Sequence, residues 1–264
     1  MKNIISINDL SFFYNGKCIF DKFNLDIQEN SWVTLIGNSG SGKSTLIRLI
    51  LGLEKYSGKI NIMNNISIKE IRKNIGVVFS DTNSQFILDT VIDELKFPLY
   101  NLGYEDDFVL NRVNEISTIF GIKKLLSKSY KELSGGEKQL ITLAVSLVTN
   151  PKILILDEAL DMLDDKQKQK VLKILNKEYK TGLTIINITQ NVDDMLLGSK
   201  VLIIDKGQIK AYDDTINIFN NLDVLKELKI DLPFIVDLSI KLKYYGLVNK
   251  IYLDMQELID AIWK

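Results

Sequence analysis

Short apolar runs recur along the chain at Trp32 to Gly37, Asn74 to Phe79, Ile153 to Asp157, Leu183 to Thr189 and Val201 to Asp205. Runs of this length, bounded by turn residues and charges, are the mark of strands buried on both faces, as in a largely parallel sheet. Between them the apolar residues fall at helical spacing. Val171, Leu172 and Leu175, after the charged stretch Asp164 to Lys170, predict a helix crossing back over the sheet. The opening Ile4 to Tyr14, and Gln208 to Tyr212 with its charged neighbours, read as antiparallel edge strands, which makes the predicted sheet mixed. From roughly 90 to 149 strand-like runs give way to helical pattern, so a helical insertion is expected there. The fold class is α/β.

From about Thr215 the chain changes character. Pro233 is placed to open a helix with Val236, Leu238, Ile240 and Leu242 as apolar surface, and Gly246 to end it. A second helix follows Asp254, because Asp254 and Glu257 have the spacing of a capping box and Met255, Leu258, Ile259 and Ile262 share one face. These helices are expected to form a small appended module.

Composition narrows the chemistry. With 33 basic and 34 acidic residues the net charge is -1, which leaves no overall electrostatic footprint for DNA or RNA. The lone Cys18 cannot form an internal disulfide, the start MKNIISINDL is unlike a signal peptide, and no apolar stretch approaches the ~20 residues of a membrane helix. The expectation is a cytosolic location, with any membrane role run through a separate spanning partner. The chain has no histidine, which argues against a Ser-His-Asp hydrolase or a zinc enzyme.

The sharpest motif is Gly37-Asn38-Ser39-Gly40-Ser41-Gly42-Lys43-Ser44-Thr45, set between the strand WVTLIG and the apolar helix TLIRLILGL. This is the Walker A pattern of a phosphate loop in the context it requires. Its glycines let main-chain N–H groups turn toward phosphate oxygens, Lys43 is expected to meet the β- and γ-phosphates, and Ser44 to ligate Mg²⁺. The pattern arises by accident in about one chain of this length in a hundred. Asp157 ends the strand ILILD and Glu158 follows it, two carboxylates at the carboxyl edge of the sheet. Paired with the loop they read as Walker B: Asp157 to hold magnesium and Glu158 to polarise the attacking water.

Leu133-Ser134-Gly135-Gly136-Glu137, followed by Lys138 and Gln139, lies about twenty residues before Asp157. Ser134 there could simply cap the helix that follows. The sequence nonetheless resembles the signature of ATP-binding cassette (ABC) ATPases, and LSGGE arises by chance less than about once in a thousand such chains. The resemblance implies that Ser134, Gly135, Gly136 and Glu137 close over the γ-phosphate of ATP held by another subunit, in a head-to-tail pair.

The resemblance covers roughly 1–215 as the nucleotide-binding domain, with the helical subdomain at about 90–149. Tyr14 matches the aromatic that stacks on adenine, with a plain edge-strand tyrosine as the alternative. Asp164 matches the aspartate that joins the paired sites, with a surface helix cap as the alternative. Two positions depart from the family pattern. The glutamine after the Val-Val-Phe strand, a magnesium and water contact, is Ser80, and the switch histidine is Gln190. Ser80 can still ligate magnesium and Gln190 can still donate to phosphate, with less reach and no charge option, so a slow site on this chain is one expectation and harmless drift the other.

Asp81 to Val91, DTNSQFILDTV, is similar to a stretch of energy-coupling factor ATPases, with Asn83, Ser84, Gln85, Phe86, Thr90 and Val91 in register and a proline missing. The tail, 216–264, resembles their carboxy-terminal dimerisation domain. The implied assembly is an importer of vitamins or transition-metal ions at the cytoplasmic face of the membrane. Its parts are a second ATPase subunit, with a heterodimer favoured over a homodimer, a transmembrane coupling subunit and a substrate-binding membrane subunit. The alternatives are the ATPase of another ABC transporter, a soluble cassette ATPase of translation or repair, and a partly degenerate ATP-binding partner.

Overall fold

The apolar runs become strands whose faces are both covered, and that is why their hydrophobic residues are continuous rather than alternating. The computed structural model describes residues 2–64, 68–81 and 85–263; the expectations for Asn83 and Ser84 lie outside them. Its strands are β1 (Asn3–Tyr14), β2 (Lys17–Gln28), β3 (Trp32–Ile36), β4 (Ser57–Ile62), β5 (Ile75–Val78), β6 (Ile153–Asp157), β7 (Thr184–Ile188), β8 (Lys200–Asp205) and β9 (Gln208–Asp214). Its helices are α1 (Lys43–Ile50), α2 (Ile68–Asn74), α3 (Val91–Asn101), α4 (Asp106–Phe120), α5 (Gly135–Val148), α6 (Asp165–Lys180), α7 (Thr215–Asn220), α8 (Asp223–Glu227), α9 (Phe234–Tyr244) and α10 (Met255–Ile262). Every residue of β3, β6 and β7 is buried.

The chain divides into two compact units. In the first, made of Met1–Ser6, Asp26–Ser31 and Asn61–Ile188, β6 runs parallel between β5 and β7, with Val77 opposite Ile155 and Asp157 opposite Ile188. Helix α5 touches α3, α4, α6 and β5, and its Ile141, Leu143 and Ala144 are wholly buried. Local chemistry sets the helix ends. Thr90 caps α3, Asp164 caps α6 through Gln167 N at 2.8 Å, and Gly121, at φ 64°, ends α4 where a left-handed residue is needed.

In the second unit, Ile7–Leu25, Trp32–Ile60 and Thr189–Lys264, β3 pairs parallel with β8 and β8 antiparallel with β9, so a mixed sheet with β9 antiparallel is found. The edge reading of β1 is corrected: β1 lies in the middle of a separate three-stranded sheet, in the order β2-β1-β4. Asn15 and Gly16, both at positive φ, make the tight reversal from β1 to β2. Asp9 and Lys22 are also at positive φ, and their N–H groups are taken up by the Asn24 and Ser11 side chains at 3.0 Å each.

The tail helices form where the sequence places them. Pro233 precedes α9, Gly246 follows it at φ 72°, and Asp254 caps α10 through Glu257 N at 3.0 Å. They do not build a core of their own. Val236 and Leu258 share one cluster with Ile36 of β3 and Val201 and Ile203 of β8.

Candidate functional site

The phosphate loop is shaped by what stands behind it. A Cβ on Gly37 would lie 2.0 Å from the carbonyl oxygen of Ile204 on β8, so only glycine lets the loop leave β3 here. Gly42, at φ 108°, sits against Phe20 and Ile19 of β2, 2.9 Å from the Phe20 ring to a would-be Cβ. Lys43 is buried, and its ammonium donates to Gly37 O at 2.7 Å and Asn38 O at 3.0 Å, holding the loop closed on itself. Ser41 O accepts from Gly207 N at 3.0 Å, and the buried Ser41 Oγ has no hydrogen-bond partner among the described residues. Asn38, Ser39, Gly40 and Ser44 are exposed, and Thr45 is half-buried.

Gly207 escaped sequence reading. It forms with Lys206 the two-residue, positive-φ reversal between β8 and β9, a sequence signal that a strand, Lys-Gly, strand reading could have found. Tyr14 closes β1 on the hairpin whose Ile19 and Phe20 press on Gly42, and it is 59% exposed. Gln190, also exposed, follows Thr189, whose N–H donates to Leu35 O at 3.2 Å and whose hydroxyl accepts from Asn191 N at 2.9 Å. Lys43, Tyr14 and Gln190 thus belong to one unit with the loop.

The remaining candidates lie in the other unit. Asp157, 5% exposed, ends β6; Glu158 takes a left-handed φ of 55° and donates its N–H to Ile188 O at 2.9 Å, which turns the chain sharply away from the strand. The signature begins α5 with a capping box. Ser134 Oγ accepts from Glu137 N at 3.3 Å, and the Glu137 carboxylate accepts from Ser134 N at 2.8 Å. That N–H bond is the main cause of a Glu137 pKa below the usual carboxylate range; the Ser134 hydroxyl and Lys128 pull the same way and burial opposes them.

Gly135 has open space where a Cβ would go, whereas Gly136 faces Gln167 of α6, whose Oε1 would be 2.6 Å away. Gln139, buried in α5, donates to Ala159 O at 2.7 Å, so the signature helix is tied directly to the segment after Glu158. Asp164 performs the helix-capping role that was its plain alternative, and its exposure leaves it accessible as well. Ser80 is exposed beyond β5. Gln85 braces that strand's end, accepting from Phe79 N at 3.0 Å and donating to Val77 O at 3.4 Å. Neither Gln85 nor Gln139 was legible as a tether, because a glutamine that bonds main-chain groups six to twenty residues away leaves no pattern in the sequence.

Residues 20–161 match the ABC transporter family. The energy-coupling factor transporter ATP-binding protein EcfA1 of Ligilactobacillus salivarius is 38% identical, over 98% of this chain and 95% of that protein. The protein of the same name from Leuconostoc mesenteroides is 36% identical, over 98% of this chain and 97% of its own length. Among solved structures, cbiO1 of Clostridium perfringens, part of an ABC transporter complex, gives a TM-score of 0.76 at 29% identity, covering 90% of this chain and 99% of that one. A dimeric ATP-binding cassette in a post-hydrolysis state, bound to ADP and phosphate, gives 0.70 at 25% identity, covering 80% of this chain and 98% of that one.

Proposed function

The chain belongs to the ABC transporter family and, within it, to the energy-coupling factor transporter ATP-binding proteins, and on that premise we propose that it hydrolyses MgATP as half of an ATPase pair driving an importer of vitamins or transition-metal ions. The observation that carries the reading is the phosphate loop, closed by Lys43 on Gly37 O and Asn38 O and backed by Ile204 and Gly207. A ligand whose oxygens compete for the Lys43 ammonium and for the buried, unpartnered Ser41 hydroxyl fits this loop, and a polyphosphate supplies such oxygens.

In this reading the N–H groups of Gly37 to Thr45 cradle the phosphates and Lys43 neutralises charge at the β- and γ-positions. Tyr14 stacks on adenine. Ser44, Asp157 and Ser80 offer a hydroxyl, a buried carboxylate and a second hydroxyl, an all-oxygen donor set of the kind a hard cation such as Mg²⁺ takes. When bound, magnesium supplies charge neutralisation across the phosphate oxygens. Glu158 orients and polarises the attacking water, and Gln190 donates to the γ-phosphate. Ser134, Gly135, Gly136 and Glu137 serve the nucleotide of the companion subunit, and Asp164 links the paired sites.

A heterodimer is favoured over a homodimer, since a homodimer would carry Gln190 in both sites. With Ser80 and Gln190 in place of the better-equipped residues, this chain's own site is the slower one, and its signature serves a faster site on the companion. The nucleotide-binding part is 1–215, with its helical subdomain at about 90–149. Residues 216–264 are the dimerisation part; Tyr244, Ile259, Ile262 and Trp263 leave apolar surface open for a partner.

No helix among the described residues is long and apolar enough to cross a membrane. In this reading, which rests on the likeness to energy-coupling factor ATP-binding proteins, a transmembrane coupling subunit and a substrate-binding subunit hold the chain at the cytoplasmic face. ATP turnover measured for the chain alone and for the reconstituted pair tests the reading. Turnover in the pair that falls in Glu158→Gln supports it, and turnover indifferent to Glu158→Gln leaves the chain as a non-hydrolysing partner.

A further inference from the structure

Three side chains link the segment after β5 to the signature. The ring of Phe86 lies 4.2 Å from that of Tyr130, centroid to centroid, and the Lys138 ammonium sits 4.0 Å over the same Tyr130 ring. Phe86 follows Gln85, which is bonded to the end of β5 at Phe79 N and Val77 O. Lys138 lies on the first turn of α5, directly after Ser134 to Glu137. Tyr130 itself is joined to both sides through its backbone: its N–H donates to Asp89 O at 3.1 Å and its carbonyl accepts from Leu133 N at 3.3 Å. Thr90 and Ser129 form an isolated antiparallel bridge alongside, and Lys128 reaches the Glu137 carboxylate at 3.8 Å. All of these contacts lie within one compact unit.

We propose that Tyr130 is a positioning residue for the signature. Held between Phe86 and Lys138, it makes the segment 85–90 and the tip Ser134 to Glu137 move as one body, so that a displacement of the segment is felt at the nucleotide of the companion subunit. The inference rests on the reading of the signature as acting in trans. A close, tilted aromatic pair and a cation over a ring face are directional contacts, so they transmit a shift that a loose apolar contact would absorb. The peptide bonds of Tyr130 add a second, parallel connection, which is why loss of the ring is expected to weaken the coupling rather than abolish it. In this arrangement Tyr130 touches neither substrate nor metal.

The test is steady-state ATP turnover of the purified pair carrying Tyr130→Ala, Tyr130→Leu, Tyr130→Phe, Phe86→Ala or the Phe86→Ala/Tyr130→Ala double substitution, together with MgATP binding to this chain's own phosphate loop. Expected for Tyr130→Ala and for Tyr130→Leu, which keeps apolar bulk without a ring, is a fall in kcat of about fivefold, the scale of one aromatic pair. KM for ATP and binding at the phosphate loop should be unchanged. Tyr130→Phe should restore kcat, and the double substitution should be no slower than the slower single one.

Wild-type turnover in Tyr130→Ala and Tyr130→Leu would overturn the proposal. So would a loss that Tyr130→Phe fails to rescue, or losses at 86 and 130 that multiply. Gly135→Asp in parallel keeps the two ideas apart. If it too leaves turnover intact, the trans reading of the signature fails; if it stops turnover while the Tyr130 variants do nothing, only the positioning role fails.

Discussion

The side-chain amide of Gln139 donates to the carbonyl oxygen of Ala159 at 2.7 Å, both residues being buried. This one bond fixes the helix that presents the signature against the segment that follows Asp157 and Glu158. Replacing Gln139 with leucine removes the donor and strands a buried carbonyl, at a cost of ~1–3 kcal/mol. Urea unfolding of Gln139→Leu should show that loss, and the pair should turn over ATP more slowly. Unchanged stability would mean that the bond is not made in solution.

Lys43 donates to the carbonyls of Gly37 and Asn38, and in the proposed reading phosphate oxygens replace them. Lys43→Ala should weaken MgATP binding at this chain's loop by roughly 10- to 100-fold, the range of a lost charge-assisted contact. Titration with a fluorescent ATP analogue reads it directly, and an affinity within twofold of wild type would contradict the assignment.

The depressed pKa of Glu137 makes the cap of α5 sensitive to acid. A carboxyl whose folded pKa lies below its unfolded value of about 4.3 contributes stability that is present above that value and lost as pH falls through the folded pKa. The melting-temperature gap between wild type and Glu137→Ala should therefore be full at neutral pH and close progressively under acid conditions. A gap that stays constant from neutral to strongly acid pH would show that the ionised cap is not what Glu137 contributes.

Gln190→His tests whether the missing histidine limits turnover. The expected result is a faster site whose rate acquires a titration near pH 6.5, where an imidazole changes charge and the wild-type chain has none to change. No gain in turnover would place the limit elsewhere.

The sequence was most legible where burial was complete. β3, β5, β6, β7 and β8 stand out as apolar runs because both their faces are covered, and the phosphate loop, the Asp157-Glu158 pair and the signature are short patterns in fixed contexts. β2 was not legible. Its buried residues Phe20, Phe23, Leu25 and Ile27 alternate only after a one-residue slip at Lys22, whose positive φ throws the period out. β1 slips in the same way at Asp9, and its place at the centre of its sheet depends on β4, a strand of mostly exposed or half-buried residues with no apolar run.

The tail's helix starts were written in Pro233 and Asp254, yet nothing in its own periodicity says that Val236 and Leu258 are buried in one cluster with Ile36 and Ile203. The Phe86–Tyr130–Lys138 cluster was equally hidden, since its members are brought together only by the turn that precedes α5.

The proposed function requires ATP to be held by the phosphate loop of one subunit and the signature of the other. Gly135 is suited to test it, because a side chain there meets open space and leaves the chain's own fold alone. The decisive measurement is retention of a magnesium-bound, non-hydrolysable ATP analogue by the purified pair after rapid gel filtration, which keeps both sites from turning over. The account predicts nucleotide trapped with the pair, lost from this chain's loop in Lys43→Ala, and lost from the companion's loop when Gly135→Asp is introduced here. Retention at the companion's loop that is indifferent to Gly135→Asp would contradict it.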